Sequence, residues 1–198
     1  MDEYGPSTYG DRIAEVYDEW YPESSRAGDV DAEVSFLREL AAAGPALELG
    51  IGTGRVAVPL HREGVEVHGI DASEAMLARL RTKEGAASIA TSVADIRDFE
   101  LEPRFTLAYV VFNTLFALRT QDDQVMCFQA VARHLTPDGV FVVEAFVPDV
   151  SRFDRGQRVS ALEGGVDEVR LEVSTHDAIA QRGDLVAQSL QLGARVVA

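Results

Sequence analysis

The sequence has no second cysteine, so Cys127 cannot close an internal disulfide, and the chain suits a reducing compartment such as the cytoplasm. It also lacks a long apolar run: no window approaches the ~18 residues of a membrane span, which argues against a membrane partner. The opening Met1-Asp2-Glu3-Tyr4 is acidic and without an apolar stretch, unlike a secretory leader. Positive charge is scarce, with 18 Lys and Arg against 33 Asp and Glu, and Lys83 is the only lysine. A net charge of −15 repels phosphate backbones and sets nucleic acid aside as a partner. The four histidines (His61, His68, His134 and His176) are scattered, with no H-x-x-x-H spacing and no cysteine partner, so no metal site is expected. A G-x-S-x-G nucleophile elbow, internal repeats and low-complexity segments are all missing.

What remains is a chain of 198 residues with a 46% apolar fraction, enough for one domain with a sizeable core. Residues 1–43 read as a helical lid, 44–150 as an α/β core, and 151–198 as a loop followed by an antiparallel hairpin. Ile13, Val16, Tyr17 and Trp20 fall at helical spacing within residues 11–21. Val34, Leu37 and Leu40 do so within 31–43, where Gly44-Pro45 stops the helix. Strands are expected at 46–50, 65–70, 88–93, 105–112 and, after the turn Thr136-Pro137-Asp138-Gly139, in VFVVEAF. The intervening helices cover about 54–63, a stretch capped by Ser73 with Met76, Leu77 and Leu80 inward, and 121–135 with Val125, Phe128, Val131 and Leu135 inward. Strictly alternating strand and helix with short connections is the pattern of a Rossmann-like, doubly wound parallel sheet. Residues 151–165 are polar and loop-like. VDEVRLEVST and LVAQSLQL then alternate around Gln181-Arg182-Gly183-Asp184, which suggests a hairpin with Val169, Leu171 and Val173 on one face and Val186, Leu190 and Leu192 on another. A hairpin alone is marginal in water, so the fifth strand or a second copy in a homodimer is expected to cover it.

The chemistry concentrates in Glu48-Leu49-Gly50-Ile51-Gly52-Thr53-Gly54, a glycine loop between a buried strand and a helix. Dinucleotide fingerprints place a small residue five positions after the first glycine; here that position is Arg55. Asp71 closes the second strand, 21 residues after Gly50, where a carboxylate can accept two ribose hydroxyls. Val93-Ala94-Asp95-Ile96 follows the third strand, and Phe112-Asn113-Thr114-Leu115-Phe116 stands at the carboxyl end of the fourth, the edge at which open parallel sheets bind ligands.

An acid followed by G-x-G-x-G resembles motif I of class I S-adenosylmethionine-dependent methyltransferases, and the likeness extends over about residues 9–150. It implies strand order 3-2-1-4-5 and S-adenosylmethionine as cofactor. It also implies contacts from Glu48, Gly50, Ile51, Gly52 and Gly54, from Asp71 to the ribose, and from Ala72 and Met76 beside the adenine. Asp95 would hold the adenine amino group, with the Ile96 amide on a ring nitrogen and Phe112 and Asn113 beside the methionine part. Asp98 is a weaker candidate for the adenine acid. The opening IAEVYDEWY and the ending FVVEAFVPD are similar to small-molecule methyltransferases of antibiotic pathways, amino-sugar N-methyltransferases among them. Those sugar enzymes often carry a histidine after the fourth strand, where this chain has Ala117. Class I methyltransferases normally finish with a sixth strand, a helix and an antiparallel seventh strand, for which residues 193–198 leave no room, so truncation, assembly with a partner or a different use of the hairpin is expected.

Four of the five tyrosines (Tyr4, Tyr9, Tyr17 and Tyr21) and the sole tryptophan, Trp20, lie in the first 21 residues, as aromatics of a ligand lid would. Tyr17, Tyr21 and Phe116 are the candidates for touching an acceptor, and Tyr17 and Glu144 for assisting the chemistry. The reaction expected is direct displacement of a methyl group onto an N or O atom of a small molecule. Two other readings stand beside it: a non-catalytic S-adenosylmethionine-binding protein, and a nicotinamide-dependent oxidoreductase, against which Arg55 speaks.

Overall fold

A computed structural model describes residues 5–21, 30–102, 104–145, 151, 157–164, 168–177 and 182–191. The chain divides into two compact units, 1–146 and 147–198.

The first unit is built on β1 (Ala46–Leu49), β2 (Val67–Asp71), β3 (Ala90–Val93), β4 (Phe105–Val110) and β5 (Leu135–Val143). They form one parallel sheet in the order β3-β2-β1-β4-β5, as the alternating pattern and the family resemblance predict. The central strands are buried on both faces, which explains their unbroken apolar runs. Leu47, Leu49, Ala108 and Val110 face one core with Cys127, Ala130 and Val131; Ala46, Leu107 and Tyr109 face the other with Val34, Leu37, Leu60, Leu77 and Leu80. Helices α3 (Val30–Ala41), α4 (Ala57–Arg62) and α5 (Glu74–Arg81) serve the second core, and α6 (Gln121–His134) the first. Ser73 caps α5 as expected, accepting the Met76 amide.

Three expectations for this unit are corrected. The helix read over 11–21 is two short ones, α1 (Thr8–Ile13) and α2 (Tyr17–Trp20), with a turn between them that leaves Trp20 51% exposed. On α6, Val125 and Phe128 point outward, 49% and 47% exposed, and the buried stripe is Cys127, Ala130, Val131 and His134. Small side chains let the helix lie close to the sheet, and that stripe was chosen over the bulkier one. Finally, β5 begins at Leu135, before the expected turn. Phe105 pairs with Leu135 and Leu107 with Val140, so Thr136-Pro137-Asp138-Gly139 is extruded as a bulge within the strand. Pro137 is tolerated because β5 is an edge strand.

His134, at the end of α6, is buried and bonded through both ring nitrogens. Its Nδ1 lies 2.7 Å from the Ala130 carbonyl, its Nε2 accepts the Leu101 amide at 3.0 Å, and its ring stacks on Phe99. That pairing fits the Nδ1–H tautomer.

The second unit is a three-stranded antiparallel sheet, β6 (Gln157–Gly164), β7 (Glu168–Asp177) and β8 (Arg182–Gln191), in the order β6-β7-β8. The β7–β8 hairpin is as read. Residues 157–164, expected as loop, are a strand, because their polar side chains alternate weakly and only the pairing with β7 defines them. Arg182, Gly183 and Asp184, read as turn, belong to β8 and pair with Asp177, His176 and Thr175. Of the face Val169, Leu171 and Val173, Val173 is 40% exposed while its neighbour Ser174 is buried. Leu192 and Tyr4 lie outside the described residues.

Candidate functional site

The carboxyl edge of β1 and β2 carries the glycine loop. The Gly50 and Ile51 amides both donate to the Ile70 carbonyl, at 2.8 and 3.0 Å, and tie the loop to β2. Gly52 and Gly54 have φ of 55° and 81°, a region that favours glycine. Their surroundings differ. A Cβ on Gly54 would come within 2.8 Å of Leu80 Cδ1, so that glycine serves helix packing. A Cβ on Gly52 would meet nothing nearer than the Gly50 carbonyl at 3.9 Å, so there the bare backbone faces a cradle that a side chain would fill.

Asp71 closes this cradle. Its Oδ2 accepts the Gly52 amide at 2.9 Å and its Oδ1 the Ser73 amide at 2.8 Å. Each oxygen keeps further acceptor capacity for an incoming hydroxyl. Burial raises the Asp71 pKa, and the two amides hold the rise in check.

Beneath the loop, Glu48 is almost wholly buried and accepts the Tyr109 hydroxyl at 2.9 Å. Burial pushes Glu48 up to about 8, against the lowering effects of Tyr109 and the nearby Arg55 charge. Arg55, 8% exposed, reaches toward Glu33 at 3.5 Å and lies over the Phe112 ring, 4.9 Å from its centroid.

After β3, Asp95 is gripped by Arg97: Nε and Nη2 approach Oδ2 at 2.9 and 2.6 Å, and the Arg97 amide donates to Oδ1 at 2.9 Å. Arg97 Nη1 also reaches Asp123, near the start of α6, at 3.1 Å. Burial alone would raise Asp95, but the Arg97 hydrogen bonds and charge outweigh it and the pKa is lowered. Asp98 points elsewhere, to Arg133 at 3.0 Å on the surface. The Ile96 side chain is buried in the core.

The amino-terminal helices lie against α5 and the glycine loop. Ile13 and Ala14 cover Met76, which is 3% exposed and packs beneath the amino-terminal helices. Ala72, beside Asp71, is half-buried. Ser73 Oγ donates to Asp11 at 2.7 Å. Asp18 Oδ1 accepts Thr53 Oγ1 at 2.6 Å and Lys83 Nζ at 2.9 Å, while Lys83 also donates to Thr53 at 3.2 Å. Tyr17 stacks at a tilt 5.0 Å from Tyr21, which meets the Phe112 ring edge-on at 5.1 Å. Burial raises the Tyr17 pKa to about 12, so its hydroxyl remains protonated and available as a donor. Phe116 lies in a 3-10 turn (Thr114–Ala117), 42% exposed, and Ala117 is exposed in the same turn. Glu144, just past β5, accepts the Phe112 amide.

Thus Glu48, the glycine loop and Asp71 share one edge, tied by hydrogen bonds to the segment that carries Tyr17. Arg55, Thr53, Lys83, Arg97 and Tyr109 were not among the sequence candidates. Two had a signal: Lys83 is the only lysine, and Tyr109 is the one tyrosine beyond residue 21. Among the described residues no cluster of three His, Cys, Asp or Glu could hold a metal, and no helix is long and apolar enough to cross a membrane.

Residues 46–139 match a family model described as a methyltransferase domain. A solved structure, the CcbJ methyltransferase from Streptomyces caelestis, is 36% identical, covers 95% of this chain and 82% of its own, and superposes with a TM-score of 0.80. Among curated relatives, a dTDP-3-amino-3,4,6-trideoxy-alpha-D-glucopyranose N,N-dimethyltransferase of Streptomyces venezuelae is 31% identical over 136 residues, 66% of this chain. A dTDP-4-amino-2,3,4,6-tetradeoxy-D-glucose N,N-dimethyltransferase of Saccharopolyspora spinosa is 33% identical over 145 residues, 70% of this chain. The chain spans little more than half, 56%, of the length of each of these two.

Proposed function

The chain belongs to the S-adenosylmethionine-dependent methyltransferases, and from that membership we propose that it transfers the methyl group of S-adenosylmethionine to a nitrogen atom of a small aminated molecule, an amino sugar being the first class to test. One observation carries the cofactor half of this reading: Asp71 accepts the amide of Gly52, whose missing side chain leaves a cradle beside that carboxylate. Asp71 would take the ribose hydroxyls, Glu48 the amino end of the methionine part, and Asp95 the adenine amino group, with Arg97 fixing the direction of its carboxylate. Gly50, Ile51, Gly52 and Gly54 offer backbone, and Phe112, Asn113 and Ile96 complete the wall. Membership in this family sets the nicotinamide reading aside.

The cofactor supplies an already activated methyl carbon, so no covalent residue is needed. The chain's own work is to align the acceptor and exclude water. Tyr17, Tyr21 and Phe116 would form the acceptor wall. With its pKa raised, Tyr17 would donate a hydrogen bond and not take a proton. An ammonium acceptor must first lose one proton to free its nitrogen lone pair, and the methylated nitrogen then releases another; bulk solvent can take both near neutral pH far more readily than it can deprotonate an alcohol. The amino groups of the relatives' sugars, as methyl acceptors, come to this chain as a substrate class only. Ala117 stands where sugar enzymes often have histidine, so the acceptor is expected to be held by other groups.

The test has two arms. Calorimetry with S-adenosylhomocysteine should show saturable binding, weakened in Asp71→Ala; no binding to the unaltered chain sinks the cofactor reading. A panel of amino sugars, sugar nucleotides, and matched compounds bearing hydroxyl in place of amine, scored by mass for methyl gain, tests the acceptor. Methylation of only the hydroxyl compounds overturns the N-atom assignment.

A further inference from the structure

At the end of β4 the chain turns through two consecutive non-glycine residues with positive φ, Phe112 at 54° and Asn113 at 64°. An asparagine visits this region with some ease, but a bulky aromatic does not, so the turn persists only where its surroundings enforce it. β5 supplies the enforcement. The Glu144 amide donates to the Val110 carbonyl at 2.9 Å, ahead of the turn, and the Glu144 carboxylate accepts the Phe112 amide at the turn itself. An amide held by a carboxylate is a charge-assisted hydrogen bond, stronger than a neutral one. The direction this gives Phe112 is used at once: its ring meets Tyr21 at 5.1 Å and the Arg55 guanidinium at 4.9 Å, and Tyr21 in turn meets Tyr17 at 5.0 Å.

We propose that Glu144 is a positioning residue, whose carboxylate pins the left-handed Phe112–Asn113 turn and through the Phe112 ring sets where the lid aromatics stand over the site. The role in methyl transfer rests on the function proposed above; the pinning of the turn does not. It differs from direct contact with the acceptor in what it asks of residue 144. Pinning needs an acceptor oxygen at one place, whereas holding a cationic amine or removing a proton needs the carboxylate's charge.

The variants are Glu144→Gln, which keeps an oxygen, and Glu144→Ala, which does not. Amide exchange at Phe112, followed by NMR without any ligand, should speed up roughly tenfold in Glu144→Ala, in keeping with the loss of one such bond. In Glu144→Gln, where a neutral oxygen still accepts the amide, it should rise by clearly less than in Glu144→Ala. Affinity for S-adenosylhomocysteine should fall in Glu144→Ala and largely return in Glu144→Gln. Unchanged Phe112 exchange in Glu144→Ala overturns the proposal. So does a Glu144→Gln variant as impaired as Glu144→Ala in both measurements, which would assign the effect to charge. Should Glu144→Ala fail to fold, the unaltered chain still decides: the Phe112 amide proton must shift as acid protonates Glu144, and Glu144→Gln must abolish that shift. If S-adenosylhomocysteine binds none of the proteins, the functional reading fails while the exchange data still judge the turn.

Discussion

Glu48→Gln offers a measurement whose sign is fixed by the structure. Below pH 4.5 Glu48 is protonated in both the folded and the unfolded chain, so it adds no pH dependence. Between 4.5 and about 8 the unfolded chain has released its proton while the buried Glu48 keeps it, so stability falls as pH rises. Above about 8 both states are ionised and the loss is complete. The slope inside the window approaches ~1.4 kcal/mol per pH unit, giving a penalty on the order of 3 kcal/mol at pH 7. Glutamine carries no charge and still offers the Tyr109 hydroxyl an oxygen. The variant should therefore match the parent near pH 4.5 and exceed it by a margin that widens up to about pH 8. Urea denaturation at several pH values reads this directly, because other titrating groups cancel in the difference. A margin that does not change with pH, or a variant weaker than its parent at pH 8, would refute the reasoning. Ligand binding gives a second reading. A cationic amino group beside Glu48 favours the carboxylate, so S-adenosylhomocysteine should expel a proton near pH 7, seen as a buffer-dependent binding heat that disappears in Glu48→Gln.

Gly52→Ala and Gly54→Ala should part company. The first should cost ~1–2 kcal/mol of stability for its left-handed backbone but lower ligand affinity sharply, whereas the second should destabilise more because its Cβ meets Leu80; denaturation and calorimetry on both decide, and normal affinity in Gly52→Ala removes the cradle. Asp71→Ala should weaken S-adenosylhomocysteine binding by ~1.5–3 kcal/mol, the range for a lost hydrogen bond to a charged group, with Asp71→Asn intermediate; equal affinities by calorimetry contradict this. Tyr17→Phe should reduce turnover of whichever acceptor is found and leave the Tm unchanged, and an unaltered rate shows that the hydroxyl touches nothing that matters.

The parts of the fold legible in the sequence are those where one physical demand dominates. β1, β2 and β4 are buried on both faces, and the glycine loop needs its positive φ values, so both left plain marks in residue type. The buried face of α6 was not legible. The helix has two apolar stripes that share Val131, buried as expected; hydrophobicity favours the one with Val125 and Phe128, while closeness to the sheet favours Cys127 and Ala130. β6 was hidden because a strand defined by its partner needs no pattern of its own. In the candidate site, positions given by the ends of strands could be named in advance. Their partners could not: Arg97 on Asp95, Tyr109 on Glu48 and Glu144 on the Phe112 amide are joined by side-chain geometry that no spacing encodes. Arg55 was noticed only as a misfit to another family, and its place over Phe112 came from the structure.

A chain with one lysine has one side-chain amine, and here that amine is the clasp between Asp18 and Thr53. Acylating reagents that seek amines would thus meet a single lysine target, and its reactivity depends on whether the clasp is shut. While Nζ donates to Asp18 and Thr53 its attack on such reagents is suppressed. The labelling rate at Lys83, read by mass, would then report on this clasp in the unaltered protein, with no probe to introduce. A ligand that holds the segment carrying Tyr17 against the glycine loop should slow that rate.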